Sequence, residues 1–154
     1  MRKQPNSRMC FICGMDNPVG LKLAFHEVEL GVVETNFTAP DHFQSYPGVL
    51  HGGIVATILD EVSGRAHLGD PDQPRIVRTA KLEVKYRKPV PIGQPLRAVG
   101  KAGPARGMAV EGWAGIYDQA GTLLAEAKAL LVDSTRAASD AERQAIGWRI
   151  EPDQ

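Results

Sequence analysis

Residues 21–29 and 32–39 are strand-like and flank Glu29-Leu30-Gly31, which predicts two strands joined in a hairpin. Residues 40–48 form a loop holding Asp41, Ser45 and Pro47. A helix begins near His51 and ends near Gly64 or shortly after. Four extended segments follow, at residues 75–86, 94–103, 107–117 and 122–132. Pro89-Val90-Pro91-Ile92-Gly93 closes the first, and Asp118-Gln119-Ala120-Gly121 turns between the last two. Residues 139–146 form a short final helix with Ser139 as its cap. The short spacing between successive strands predicts antiparallel pairing. The organisation is an irregular leader over residues 1–20, one domain over 21–133 and a tail over 134–154. A sheet with a single long helix buries its apolar face by wrapping around that helix, so the expected class is α+β with a curved antiparallel sheet around one central helix.

Steps of about 100° around the central helix gather Ile54, Val55, Ile58, Leu59 and Val62 on one arc, the core-facing stripe. Gly53, Ala56, Thr57, Asp60 and Gly64 cluster on the other side. A solvated face carries more charge than this. Small residues let another backbone approach, so Asp60 is expected at a packed boundary with a second subunit. Burying a carboxylate is costly unless it is paired or used.

Composition narrows the function classes. The 154 residues hold 18 Lys+Arg and 18 Asp+Glu, a net charge of zero, which removes the electrostatic case for nucleic acid or an anionic membrane. No apolar run approaches the roughly 20 residues of a membrane span. The N-terminal stretch MRKQPNSRMCFICG has no apolar core of a secretory signal, and two cysteines make no disulfide framework; the expectation is a cytoplasmic protein.

The start of the helix suggests chemistry. The first N–H groups of a helix lack internal partners and sit at the positive end of its dipole. Gly52 and Gly53 clear side chains from that opening, so a carbonyl oxygen gaining negative charge could reach the amides. Asp60 lies two turns further on, about 10 Å from Gly53 at 1.5 Å per residue. One helix cannot bring both groups to one atom. Two helices packed antiparallel could.

His-Gly-Gly at 51–53, the acid Asp60 nine positions after His51, and the strand TAKLEVKY ending in the Tyr86-Arg87-Lys88-Pro89 turn resemble the hotdog-fold acyl-CoA thioesterases, in their PaaI-like (phenylacetate-type) branch. The resemblance spans about residues 21–132. It implies the hotdog fold, a homodimer or homotetramer with sites at subunit boundaries, and cleavage of an acyl-CoA to free acid and CoA. It puts the family's acid on Asp60, as general base or nucleophile. It puts the carbonyl-polarising amide on Gly52 or Gly53, and a loop-shaping, substrate-contacting His on His51. Thr79 matches a water-orienting Ser or Thr. Ser45 stands where a relevant branch carries Asn or Gln six residues before the His. Strand alternation places Thr79 with Lys81, Glu83 and Lys85, the solvent-facing set, so the two readings of Thr79 differ.

Several other residues carry chemistry. Glu61 adjoins Asp60 but points about 100° around the helix and reads as structural. Arg87 and Lys88 are candidates for the CoA phosphates, as are Lys101 and Arg106. Cys10-x-x-Cys13-Gly14 is half a zinc site by spacing. His26 and His42 are too far apart in sequence to be the other half, so no metal and no cofactor are expected. Two other functions fit the same fold, a non-catalytic acyl-CoA sensor and a hydratase or dehydratase. Acyl-carrier protein is an alternative carrier to CoA.

Overall fold

The computed structural model describes residues 1–152. The strands are β1 (Arg2–Lys3), β2 (His26–Glu29), β3 (Val32–Thr38), β4 (Val77–Tyr86), β5 (Pro95–Arg106), β6 (Ala109–Tyr117) and β7 (Leu123–Asp133). The helices are α1 (Gly52–Arg65) and α2 (Asp140–Ile146), with one 3₁₀ turn at Asp41–Phe43. The strands pair antiparallel in the order β1-β2-β3-β5-β6-β7-β4.

The α+β class holds, but a curved sheet wrapped around the helix, which both the element pattern and the hotdog resemblance implied, does not form. The sheet is open, neither closed nor strongly curled, with β1 and β4 at its two edges. Closure needs the edge strands to share a ladder. A two-residue β1 offers too few pairings, and Ile12 and Cys13 of the leader enter the core instead. The chain from 1 to 20 is thus irregular except at β1, and is packed into the domain. Asn6 and Arg149 exchange both backbone hydrogen bonds, which ties the leader to the tail.

Helix α1 lies against β3 to β7. Val55, Ile58, Leu59 and Val62 are buried, each contributing about 1.5–3 kcal/mol by leaving water. Facing them from β7 is a row of small residues, Ala125, Ala127 and Ala129. The helix backbone packs tightly on Gly100 of β5, where a Cβ would fall 1.9 Å from the Val62 carbonyl oxygen. Only glycine allows that approach.

Candidate active site

The loop entering α1 is held from two sides. Leu50 N–H donates to Val90 O at 2.8 Å, and His51 N–H donates to Phe43 O at 2.9 Å. The turn after β4 and the 3₁₀ turn therefore fix where the helix starts. His51 caps it: its Nδ1 accepts from Gly53 N–H at 2.9 Å. An accepting Nδ1 leaves Nε2–H as the donor of a neutral ring. Ile54 and Val55 N–H both donate to His51 O. Among the described residues, none accepts from the Gly52 N–H. The open amide at the helix start is thus that of Gly52, because His51 occupies that of Gly53. The Tyr86 hydroxyl donates to Gly52 O at 2.7 Å and anchors this first turn to the end of β4. The Tyr-x-x-Pro turn in the sequence was the signal for Tyr86, whose contact with the helix sequence reasoning missed.

Two turns along, the Thr79 hydroxyl donates to Asp60 Oδ1 at 2.6 Å. Strict alternation would put Thr79 on the outer face with Lys81. A β-bulge between Thr79 and Lys81 changes that: Thr79 pairs with buried Leu131, whereas Lys81 pairs with exposed Leu130. The extra residue, Ala80, shifts the phase of the strand. Thr79 joins the helix face, beside Asp60, and not the outer face with Lys81. Asp60 is half-buried. Burial pushes its carboxyl above the usual range; the Thr79 hydrogen bond opposes this, and the neighbouring Glu61 charge adds to it.

Asp60 and Thr79 line a cleft of about 400 Å³, shared with Cys10, Cys13, Glu61 and Arg65. Arg65 is buried; its Nε donates to Glu61 Oε1 at 2.8 Å and its Nη1 to Pro5 O at 2.6 Å. Glu61 is therefore paired, as its structural reading required. The Cys10 thiol hydrogen-bonds Cys13, which lowers the Cys13 thiol against its burial, with Arg65 assisting, and raises Cys10, with burial adding to the rise.

The remaining candidates lie apart from this pair. Ser45 is exposed in the loop before the helix, its N–H bonded to Val49 O at 2.9 Å. Arg87 Nε donates to Glu126 Oε2 at 2.7 Å. Lys88 is exposed beside it, and both backbone N–H groups bond Leu124 O. Lys101 sits over the Trp113 ring, 5.6 Å from its centre. A second, apolar cleft of about 330 Å³ is lined by Leu21, Leu23, Phe37, Phe43, Ile54 and Ile58.

The free Gly52 amide and the half-buried Asp60 carboxylate thus lie two turns apart on one helix. The family model for the thioesterase superfamily matches residues 47–125, and the chain belongs to that superfamily. It is similar to the acyl-coenzyme A thioesterase THEM4 of Rattus norvegicus, 41% identical over 51 residues, which is 33% of this chain and 20% of the rat protein. Among solved structures it resembles the thioesterase superfamily protein RHA08564, with a TM-score of 0.73 and 26% identity over 81% of this chain and 63% of that one. A putative thioesterase related to phenylacetic acid degradation, from Ralstonia eutropha JMP134, shares the fold, with a TM-score of 0.65 and 21% identity over 73% of this chain and 85% of that one. The chain spans a fifth of the length of the rat relative. No helix among the described residues is long and apolar enough to cross a membrane.

Proposed function

We propose that the protein hydrolyses the thioester of an acyl-CoA, releasing free acid and CoA, as a cytoplasmic member of the PaaI-like branch. The observation that carries this reading is the Asp60 carboxylate in the cleft, held on one oxygen by Thr79. The other oxygen is left to take a proton from water or to attack the carbonyl carbon itself. In the first case hydroxide adds to the carbonyl and the oxyanion is stabilised by the Gly52 N–H. Collapse breaks the C–S bond, and the proton on Asp60 leaves with the CoA thiolate. In the second case the Asp60 oxygen adds to the carbonyl carbon, the C–S bond breaks and the CoA thiolate leaves; water then cleaves the acyl-Asp60 anhydride to the free acid and the Asp60 carboxylate, and the proton released goes to the thiolate. His51, exposed at the start of the helix, would be available to the thioester. The apolar cleft beside the first turn of α1 suits the acyl group, and exposed Lys88 suits a CoA phosphate.

Asp60 and Gly52 are two turns apart on one helix, so a complete site takes Gly52 from a second copy packed antiparallel. The half-exposed small face of Ala56, Thr57 and Asp60 supports such packing. Two free cysteines side by side fit a reducing compartment.

Thiol release from a panel of acyl-CoAs tests the proposal. Turnover is expected with at least one acyl group, and Asp60→Asn is expected to lose at least ~10²-fold in kcat while its melting temperature stays close to wild type. Acyl-CoA binding with no thiol release would favour the sensor, and conversion of the acyl chain with the thioester intact would favour the hydratase. Label on Asp60 after a single turnover in ¹⁸O-labelled water would establish the anhydride route with water attacking the Asp60 carboxyl carbon.

A further inference from the structure

The proposed hydrolysis leaves one cluster of reactive groups unused. Cys10 Sγ, Cys13 Sγ and a Glu61 carboxylate oxygen all lie within 4.8 Å of one another. Sequence spacing showed only half a metal site, and the fold supplies a third donor from the middle of α1.

The turn carrying the cysteines is built tightly. Gly14 N–H donates to Cys10 O at 2.7 Å, and a Cβ on Gly14 would fall 2.4 Å from that oxygen. Asn6 Nδ2 donates to Cys13 O at 2.7 Å and holds the turn from the leader side. Both sulfurs receive backbone N–H groups, Cys10 from Ile12 at 3.3 Å and Cys13 from Ser7 at 3.4 Å. Such donors offset part of the cost of a thiolate, the form that binds metal, and an ion taking both sulfurs displaces the proton that Cys10 shares with Cys13. Arg65 takes one oxygen of Glu61, and a carboxylate has a second to offer.

The geometry points to a Zn²⁺ site in which the Cys10 and Cys13 thiolates and the Glu61 carboxylate are three ligands and a water from the cleft is the fourth. Zn–S bonds of about 2.3 Å in a tetrahedral site put two sulfurs about 3.8 Å apart, inside the observed spread. Two thiolates with one carboxylate suit Zn²⁺ and disfavour Mg²⁺ or Ca²⁺. Three anionic ligands are balanced by the ion and the buried Arg65 guanidinium. Each thiol that binds gives its proton to solvent. The ion would pin the leader to α1 one residue from Asp60. The site stands independently of the thioesterase reading.

The test uses the full chain, reduced and stripped with a chelator, then titrated with Zn²⁺ by calorimetry and with Co²⁺ by absorbance. One ion per chain is expected, with a thiolate-to-cobalt charge-transfer band. Cys10→Ser, at a half-buried position, is expected to weaken binding at least ~10-fold and to diminish the band while keeping the wild-type circular dichroism. Glu61→Gln is expected to weaken binding at least ~10-fold with the thiolate band retained. Absence of stoichiometric metal in the reduced wild type would overturn the site, as would wild-type affinity in either variant. A protein that forms a Cys10–Cys13 disulfide in air and binds no metal once reduced would make the pair a redox couple and also overturn it.

Discussion

The Thr79 hydroxyl reaches Asp60 Oδ1 at 2.6 Å because one extra residue in β4 turns Thr79 toward the helix. This hydrogen bond favours the ionised carboxylate, against burial and against the charge of Glu61. In the proposed hydrolysis this would keep Asp60 available as a base, with its other oxygen left to the water or the thioester.

Removal of that hydroxyl should therefore show in the pH profile. The carboxyl of Asp60 sits above its ordinary value, so activity needs the pH to rise past that point. Thr79→Val removes the one influence that lowers it. The acid limb of kcat/KM is expected to move to higher pH in Thr79→Val and to stay near wild type in Thr79→Ser. An unmoved limb in Thr79→Val would mean that the hydroxyl serves only packing.

The open amide is predicted at Gly52. A Cβ there would lie 3.5 Å from the Tyr86 ring, an ordinary contact, whereas on Gly53 it would come within 3.1 Å of His51 Nδ1. Gly52→Ala should melt within a few degrees of wild type, since a methyl in a helical turn costs little or helps. Its rate should fall at least ~10-fold, because the methyl intrudes where the thioester oxygen meets the amide; loss of a whole donor costs about 10²–10³. Equal losses in melting temperature and rate would move the oxyanion site elsewhere.

A dimer at minimum is expected, formed through the helix face of Gly53, Ala56 and Asp60. Sedimentation at micromolar concentration checks it. A stable monomer with full activity would contradict a site shared between copies.

Acid stability should depend on Asp133. Burial raises its carboxyl, but hydrogen bonds from Thr135 and from Arg75, at 2.5 Å to Arg75 Nη2, outweigh this and hold it at about 2. A depressed value in the folded state stabilises above the unfolded value and is lost as pH falls from about 4 to about 2. Screening by solvent limits the effect to about 1 kcal/mol, or about 2–4 °C in Tm. Wild type should melt above Asp133→Asn at pH 7, and the gap should close by pH 2. A gap that stays constant across that range would refute the assignment.

What local sequence determined is the set of elements around the site. The apolar stripe of Val55, Ile58, Leu59 and Val62 specified the helix and its buried face, and Ser139 specified the cap of α2. The strands β3 to β7 follow alternation and turns, which are properties of neighbouring residues. His51-Gly52-Gly53 and Asp60 were legible for the same reason, since a helix start and a polar residue on a small face are local facts. Tertiary structure decided the rest. The bulge at Ala80 depends on pairing with β7, so no period-2 reading of β4 could put Thr79 on Asp60. The open sheet depends on how little ladder β1 offers and on the leader filling the core with Ile12 and Cys13. His51 took the Gly53 amide and Tyr86 reached Gly52 O only once loop, helix and strand end were brought together. The meeting of Cys10, Cys13 and Glu61 joins a leader turn to a helix far along the chain. Such contacts are set by packing over long loops, and spacing in the sequence carries no measure of them.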